Sequence, residues 1–106
     1  MAGERTITWE GVSGKTYKYW IYEMGMTFKS AAGNYIFAKE TRPGYFKTIY
    51  IGQTEDLSER LDNHHAMPCI KRAGSTHIHA HKNNDKAARL AEERDLIAKW
   101  NPTCNE

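Results

Sequence analysis

With 106 residues the chain has room for one domain and one core, because single domains commonly run to about 100–150 residues. A hydrophobic fraction of 40% beside 26% charged residues is ordinary for a globular protein and excludes a disordered chain, and no apolar run approaches the roughly 18 residues of a membrane helix. Fifteen Lys and Arg against thirteen Asp and Glu leave a net charge of only +2, which excludes binding to DNA by bulk charge alone but leaves nucleic acid open as a partner.

The N-terminal stretch MAGERTITWEG has no apolar secretory core, so a cytoplasmic setting is expected. Cys69 and Cys104 stand 35 positions apart without a CxxC companion, and are expected as reduced, partly buried thiols.

Residues 1–30 are expected to form an N-terminal arm with one extra strand, ahead of a domain over residues 31–106. Thr6–Trp9 reads as a brief strand. In TYKYWIYEMGMTF, alternation puts Tyr17, Tyr19 and Ile21 on one face and Lys18, Trp20 and Tyr22 on the other. Strands over Asn34–Ala38 and Thr48–Gly52 flank KETRPGYFK, whose Pro43-Gly44 pair marks a turn, so an antiparallel hairpin is expected. Asp56 followed three residues later by Glu59 has capping-box spacing and starts a helix expected to carry LSERLDNHH. A further helical turn over Cys69–Arg72 precedes Gly74. Thr76–His81 alternates as another strand, and Asn84 or Asp85 caps a final helix, KAARLAEERDLIAKW, stopped by Pro102. The layout is an α+β domain.

On the last helix, wound at about 100° per residue from Leu90, Glu93 falls at about 300°, between Ile97 at about 340° and Leu96 at about 240°. Glu93 thus lies within the apolar face, whereas Glu92 falls with Lys99 and Asp95 and is expected to be solvated. A carboxylate facing a core must be paired, protonated or metal-bound, because an unpaired charge in low dielectric is costly. Lys86 and Arg89 are candidate ion-pair partners. On the first helix, Arg60 and His64 are four apart and should share a face beside Leu57 and Leu61. An arginine fork suits a phosphate, and an imidazole accepts a proton near neutral pH, as phosphodiester hydrolysis requires.

Gly33-Asn34-Tyr35, Tyr50-Ile51-Gly52 on the next strand, and Arg60 ten residues after Tyr50 together resemble the signature of the GIY-YIG nuclease family. YIGQTEDLSERL is similar to the second half of that signature, and LAEERDLIAKWNPTCN to the family's later helix, where the acid falls on Glu93. The resemblance covers roughly residues 32–105. It implies a three-stranded antiparallel sheet flanked by helices, and a metal-dependent endonuclease hydrolysing nucleic acid, DNA first. It also implies one Mg²⁺ or Mn²⁺ held by Glu93, an oxygen ligand for a hard cation. Tyr35, Tyr50 and His64 would orient or deprotonate water, and Arg60 would stabilise phosphate charge. Two departures stand out: Asn34 replaces isoleucine, and the interval between Tyr35 and Tyr50 is long, an excess expected in the hairpin loop.

Other readings remain open. Tyr35 and Tyr50 also suit half-buried sheet tyrosines, and Asn105 suits a structural tie to the backbone. His77, His79 and His81 share one strand face, so a zinc site is a third and weaker reading. The alternative to an enzyme is a catalytically weak nucleic-acid-binding or adaptor module.

Overall fold

The computed structural model describes residues 5–105. The elements run β1 (Arg5–Glu10), β2 (Thr16–Glu23), β3 (Gly33–Arg42), β4 (Tyr45–Thr54), α1 (Leu57–Asp62), α2 (Met67–Arg72), β5 (His77–Lys82) and α3 (Lys86–Trp100). The strands make one antiparallel sheet in the order β1-β2-β5-β3-β4, curled into a half-barrel.

The α+β class holds, but the expected three-stranded sheet with an appended arm is corrected to five strands. The β2 strand pairs along β5, with Trp20 opposite Ala80 and Tyr22 opposite Ile78, so the sheet crosses from residues before 30 to residues after it. Alternation in a sequence shows that a strand forms without showing which edge it joins. Here the free edge of β5 supplies the partner, removing a row of unpaired backbone groups.

The hairpin is tighter than expected. Arg42 pairs with Tyr45 around Pro43-Gly44, and Gly44 at φ +83° takes the left-handed position a turn with proline before glycine requires. The extra residues between Tyr35 and Tyr50 therefore lengthen β3 and β4 rather than the loop. Register shifts at Phe37/Ala38 and Glu40/Arg42 absorb the mismatch.

Each sheet face has its own core. Tyr35, Phe37, Ile78 and Ala80 pack against Leu57, Leu61 and Ile70 from α1 and α2. Trp9, Tyr19, Ile36, Ala38 and Ile51 pack with Leu96 of α3 on the opposite face. Each fully buried Ile or Phe contributes about 1.5–3 kcal/mol, so both faces stabilise the sheet.

Three expectations change at the helices. Asp56 caps α1 by accepting the Ser58 and Glu59 amides, as its spacing suggests, but the helix stops at Asp62. His64 and His65 therefore lie beyond it, and Arg60 and His64 do not share a helical face. On α3 the buried residues are Arg89, Glu92 and Leu96, so Glu92 is not the solvated acid expected. The buried stripe is turned toward Leu96 because its polar members find partners. Arg89 donates to the Gln53 side chain (3.0 Å) and the Asn83 carbonyl (2.9 Å), while Glu92 accepts from the Tyr19 hydroxyl at 2.5 Å.

Cys69 and Cys104 are joined as a disulfide, with Cα atoms 6.0 Å apart, which corrects the expectation of reduced thiols. Their separation along the chain hides the proximity. The Cys104 amide donates to the Ile49 carbonyl at 2.8 Å, laying the C-terminal turn along β4 beside α2. No helix among the described residues is long and apolar enough to cross a membrane.

Candidate functional site

Alternation on β3 directs Tyr35 to the face covered by α1 and places it opposite Gly52 of β4. A Cβ on Gly52 would lie 2.5 Å from Tyr35 Oη and 2.6 Å from Cζ, so a residue without one is required there. The Tyr35 ring therefore lies across β4, stacked on Tyr50 with centroids 6.2 Å apart.

The stretch after α1 folds back so that His64, only 5% exposed, closes this cluster. Its ring centroid stands 4.4 Å from that of Tyr50, and its Nε2 lies 2.8 Å from Tyr35 Oη. The Ala66 backbone N–H donates to Nδ1 at 3.0 Å. That nitrogen must then be the acceptor, so the neutral ring carries its proton on Nε2 and donates it to Tyr35. Burial, followed by the charges of His65 and Arg60, lowers the His64 pKa to about 4. His64 is thus neutral at physiological pH, with both nitrogens engaged.

Arg60 is exposed on α1, and its charge acts on Tyr35, Tyr50 and His64. Burial raises both tyrosine pKa values; for Tyr50 the Glu93 charge adds to it and Arg60 opposes it. Glu93 is partly buried and lines a groove of about 700 Å³ with Tyr50, His65 and Asn105. Burial raises its pKa, opposed only by Arg94.

The structure thus brings Tyr35, Tyr50 and His64 into contact and sets Arg60 and Glu93 where both charges reach the tyrosines. His65 also lines the groove and stacks on His64 with centroids 4.6 Å apart. Neither Lys86 nor Arg89 pairs with Glu93; among the described residues its carboxylate makes no ion pair.

A hard divalent cation fits that donor set, because Mg²⁺ commonly takes one or two carboxylates, several waters and substrate phosphate oxygens. Zinc, which needs about four protein ligands in a closed site, does not. Among the described residues no group of three or more His, Cys, Asp or Glu is arranged to hold a metal.

The histidine row has protein partners instead. Fully buried His79 accepts the Trp9 indole N–H at 3.0 Å, and burial lowers its pKa to about 3. His81 holds Glu92 through Nε2 at 2.7 Å, and His77 bonds Thr76 at 2.8 Å. Burial alone would lower the His81 pKa, but the hydrogen bond to Glu92 and its charge raise it. Sequence reasoning missed this Tyr19–Glu92–His81 network; the only signal was the grouping of Tyr19 with Tyr17 and Ile21 on one strand face. Asn105 makes the backbone tie expected of it, accepting from the Ile51 amide and donating to its carbonyl, both at 2.8 Å.

Comparison with family models, with curated proteins and with solved structures gives no match to this chain.

Proposed function

We propose that the protein is a metal-dependent endonuclease of the GIY-YIG type, hydrolysing nucleic acid phosphodiesters, DNA first, with Mg²⁺ or Mn²⁺ at Glu93. One observation carries the reading: a partly buried carboxylate that makes no ion pair among the described residues borders the same groove as Tyr50, and its charge and that of Arg60 converge on two stacked tyrosines. Charge that is partly withdrawn from water is costly unless it is paired, neutralised by a proton or compensated by a bound cation.

The residues divide the work as follows. Arg60 draws in the phosphate and offsets charge that builds on it during attack. Tyr50, the more exposed tyrosine, donates its hydroxyl to a water or phosphate oxygen in the groove. Both tyrosines are protonated at neutral pH, as an ordinary tyrosine is, and burial raises their pKa values further, so they orient the nucleophile as donors. His64 fixes Tyr35 Oη as an acceptor and leaves that hydroxyl's own proton free. The cation, when bound, supplies an acidified water and neutralises phosphate charge.

A nucleic-acid-binding module that no longer cleaves is the second reading. Its support is the burial of Tyr35, 2% exposed, whose hydroxyl water must reach. The cytoplasmic setting expected from the N-terminal stretch has the Cys69–Cys104 bond against it under either reading, since cytosolic thiols are kept reduced. A panel of labelled single-stranded, duplex and branched DNA and RNA, incubated with Mg²⁺ or Mn²⁺, decides between enzyme and module. Cleavage lost in Glu93→Gln supports the enzyme; binding without cleavage under every condition supports the module.

A further inference from the structure

On the same sheet face as Tyr35, two strands away, a second groove of about 520 Å³ opens beside the start of α1. Its volume falls among small-ligand clefts, about 300–1,000 Å³. Trp20 and Tyr22 of β2, Phe28 of the following loop, the exposed Lys29 and Lys82, and the buried Leu57 are among the residues that line it. Trp20 is 40% exposed although it is a large apolar ring, and Lys18 Nζ sits over it at 5.4 Å. Tyr22 and Phe28 brace one another edge to face, with centroids 4.9 Å apart.

The groove's charge has one sign. No acid is among its lining residues, and among the described residues neither Lys29 nor Lys82 is in an ion pair. His81 also lines it but is held by Glu92, so the lysines provide the uncompensated charge. Exposed aromatic faces beside unpaired lysines match the two components of a nucleotide chain, stacking bases and anionic phosphates. Leu57 opens α1, and Arg60 lies one turn along the same helix, so a strand seated here leads toward the proposed phosphate site.

We propose that this groove binds unpaired nucleotides, making the substrate a nucleic acid with a single-stranded segment beside the bond that is cut. This rests on the nuclease reading for the cut, but the binding itself is separable from it. Base stacking and phosphate attraction do not read the 2′-hydroxyl, so single-stranded DNA and RNA both bind.

The test measures anisotropy of labelled oligonucleotides with the full chain in EDTA, comparing single-stranded DNA, single-stranded RNA and blunt duplex of one sequence. Single strands bind at least ten times more tightly than duplex. Trp20→Ala weakens single-strand binding fivefold or more, Trp20→Phe restores most of it, and the double variant Lys29→Ala, Lys82→Ala flattens the salt dependence. Equal binding of single strand and duplex, unchanged binding by Trp20→Ala, or preferential capture of an acidic aromatic peptide overturns the groove. Cleavage with any of those outcomes leaves the nuclease reading standing alone; single-strand binding without cleavage leaves the groove standing alone.

Discussion

Tyr35 and His64 share one hydrogen bond, Oη to Nε2 at 2.8 Å, whose direction is set by the Ala66 amide donating to Nδ1. His64 then has no free lone pair with which to take a proton from water. The histidine expected to act as a base is on this geometry a holder of Tyr35, and the pH behaviour follows from that.

Cleavage should show no ascending limb at the ordinary histidine pKa, since the His64 pKa is lowered to about 4. Stability should respond instead. The unfolded chain takes a proton at His64 below about pH 6.5 while the folded chain does not, so this contribution is complete above that pH and is lost as pH falls toward 4. The loss is on the order of 3 kcal/mol, and His79, lowered further, adds to it in the same direction. Thermal melts from pH 8 to 4 and a rate profile from pH 5.5 to 8 test both halves. A rate limb near 6.5 that disappears in His64→Gln would restore the base.

Glu93→Gln and Glu92→Gln should part in two measurements. Glu93 is costly to ionise where it sits, with its pKa raised by burial, so its carboxylate lowers stability above the carboxylate range and Glu93→Gln should melt higher than the parent at pH 7 without metal. Adding Mg²⁺ at ten times its Kd stabilises the parent by about 1.4 kcal/mol and leaves the variant unmoved. Glu92→Gln removes the charge that Tyr19 and His81 both address and costs about 1–3 kcal/mol. Identical melting and metal responses in the two variants would falsify the assignment of Glu93 to the ion.

What was legible in the sequence was local. Alternation placed Tyr19 and Tyr17 together, Asp56 capped α1, Pro43-Gly44 turned the hairpin and Pro102 followed the last helix. Pairing partners were not legible, because β2 joins β5 across more than fifty residues and nothing in either strand names the other. The wheel on α3 ranked Glu93 above Glu92 by hydrophobicity alone. It could not foresee that Tyr19 and His81, distant in sequence, would meet Glu92 in the interior. Asn63, ending α1 three residues early, moved His64 off the expected face and onto Tyr35.

The disulfide closes a loop of 35 residues between α2 and the C-terminal turn. Loop-closure entropy assigns such a link about 3–4 kcal/mol. Cys104→Ser, or reduction, should therefore lower the melting temperature by on the order of 10 °C or more. Because Asn105 ties the same turn to Ile51 of edge strand β4, hydrogen exchange at the Ile51 amide should rise with reduction. A melt insensitive to reductant, with two titratable thiols, removes the bond from the native protein.

Gly52→Ala tests the aromatic cluster from its least conspicuous member. The new Cβ would overlap the end of the Tyr35 ring and come within 3.0 Å of Tyr50 Cε1, and both contacts are to atoms held by packing. Tyr35 has to swing away, and the 2.8 Å bond to His64 breaks with it. Overpacking of this kind costs about 1–3 kcal/mol, and a displacement near 1 Å at a reacting group costs about a hundredfold in rate. Gly44→Ala is the control: Gly44 at φ +83° has open space around a Cβ, so alanine there strains the turn without touching the site. It should lose stability and keep its rate. The two variants are compared at equal folded fraction, with the His64 Nε2 proton followed by NMR. If Gly52→Ala keeps both that resonance and its rate, the stacked tyrosines do not carry the chemistry.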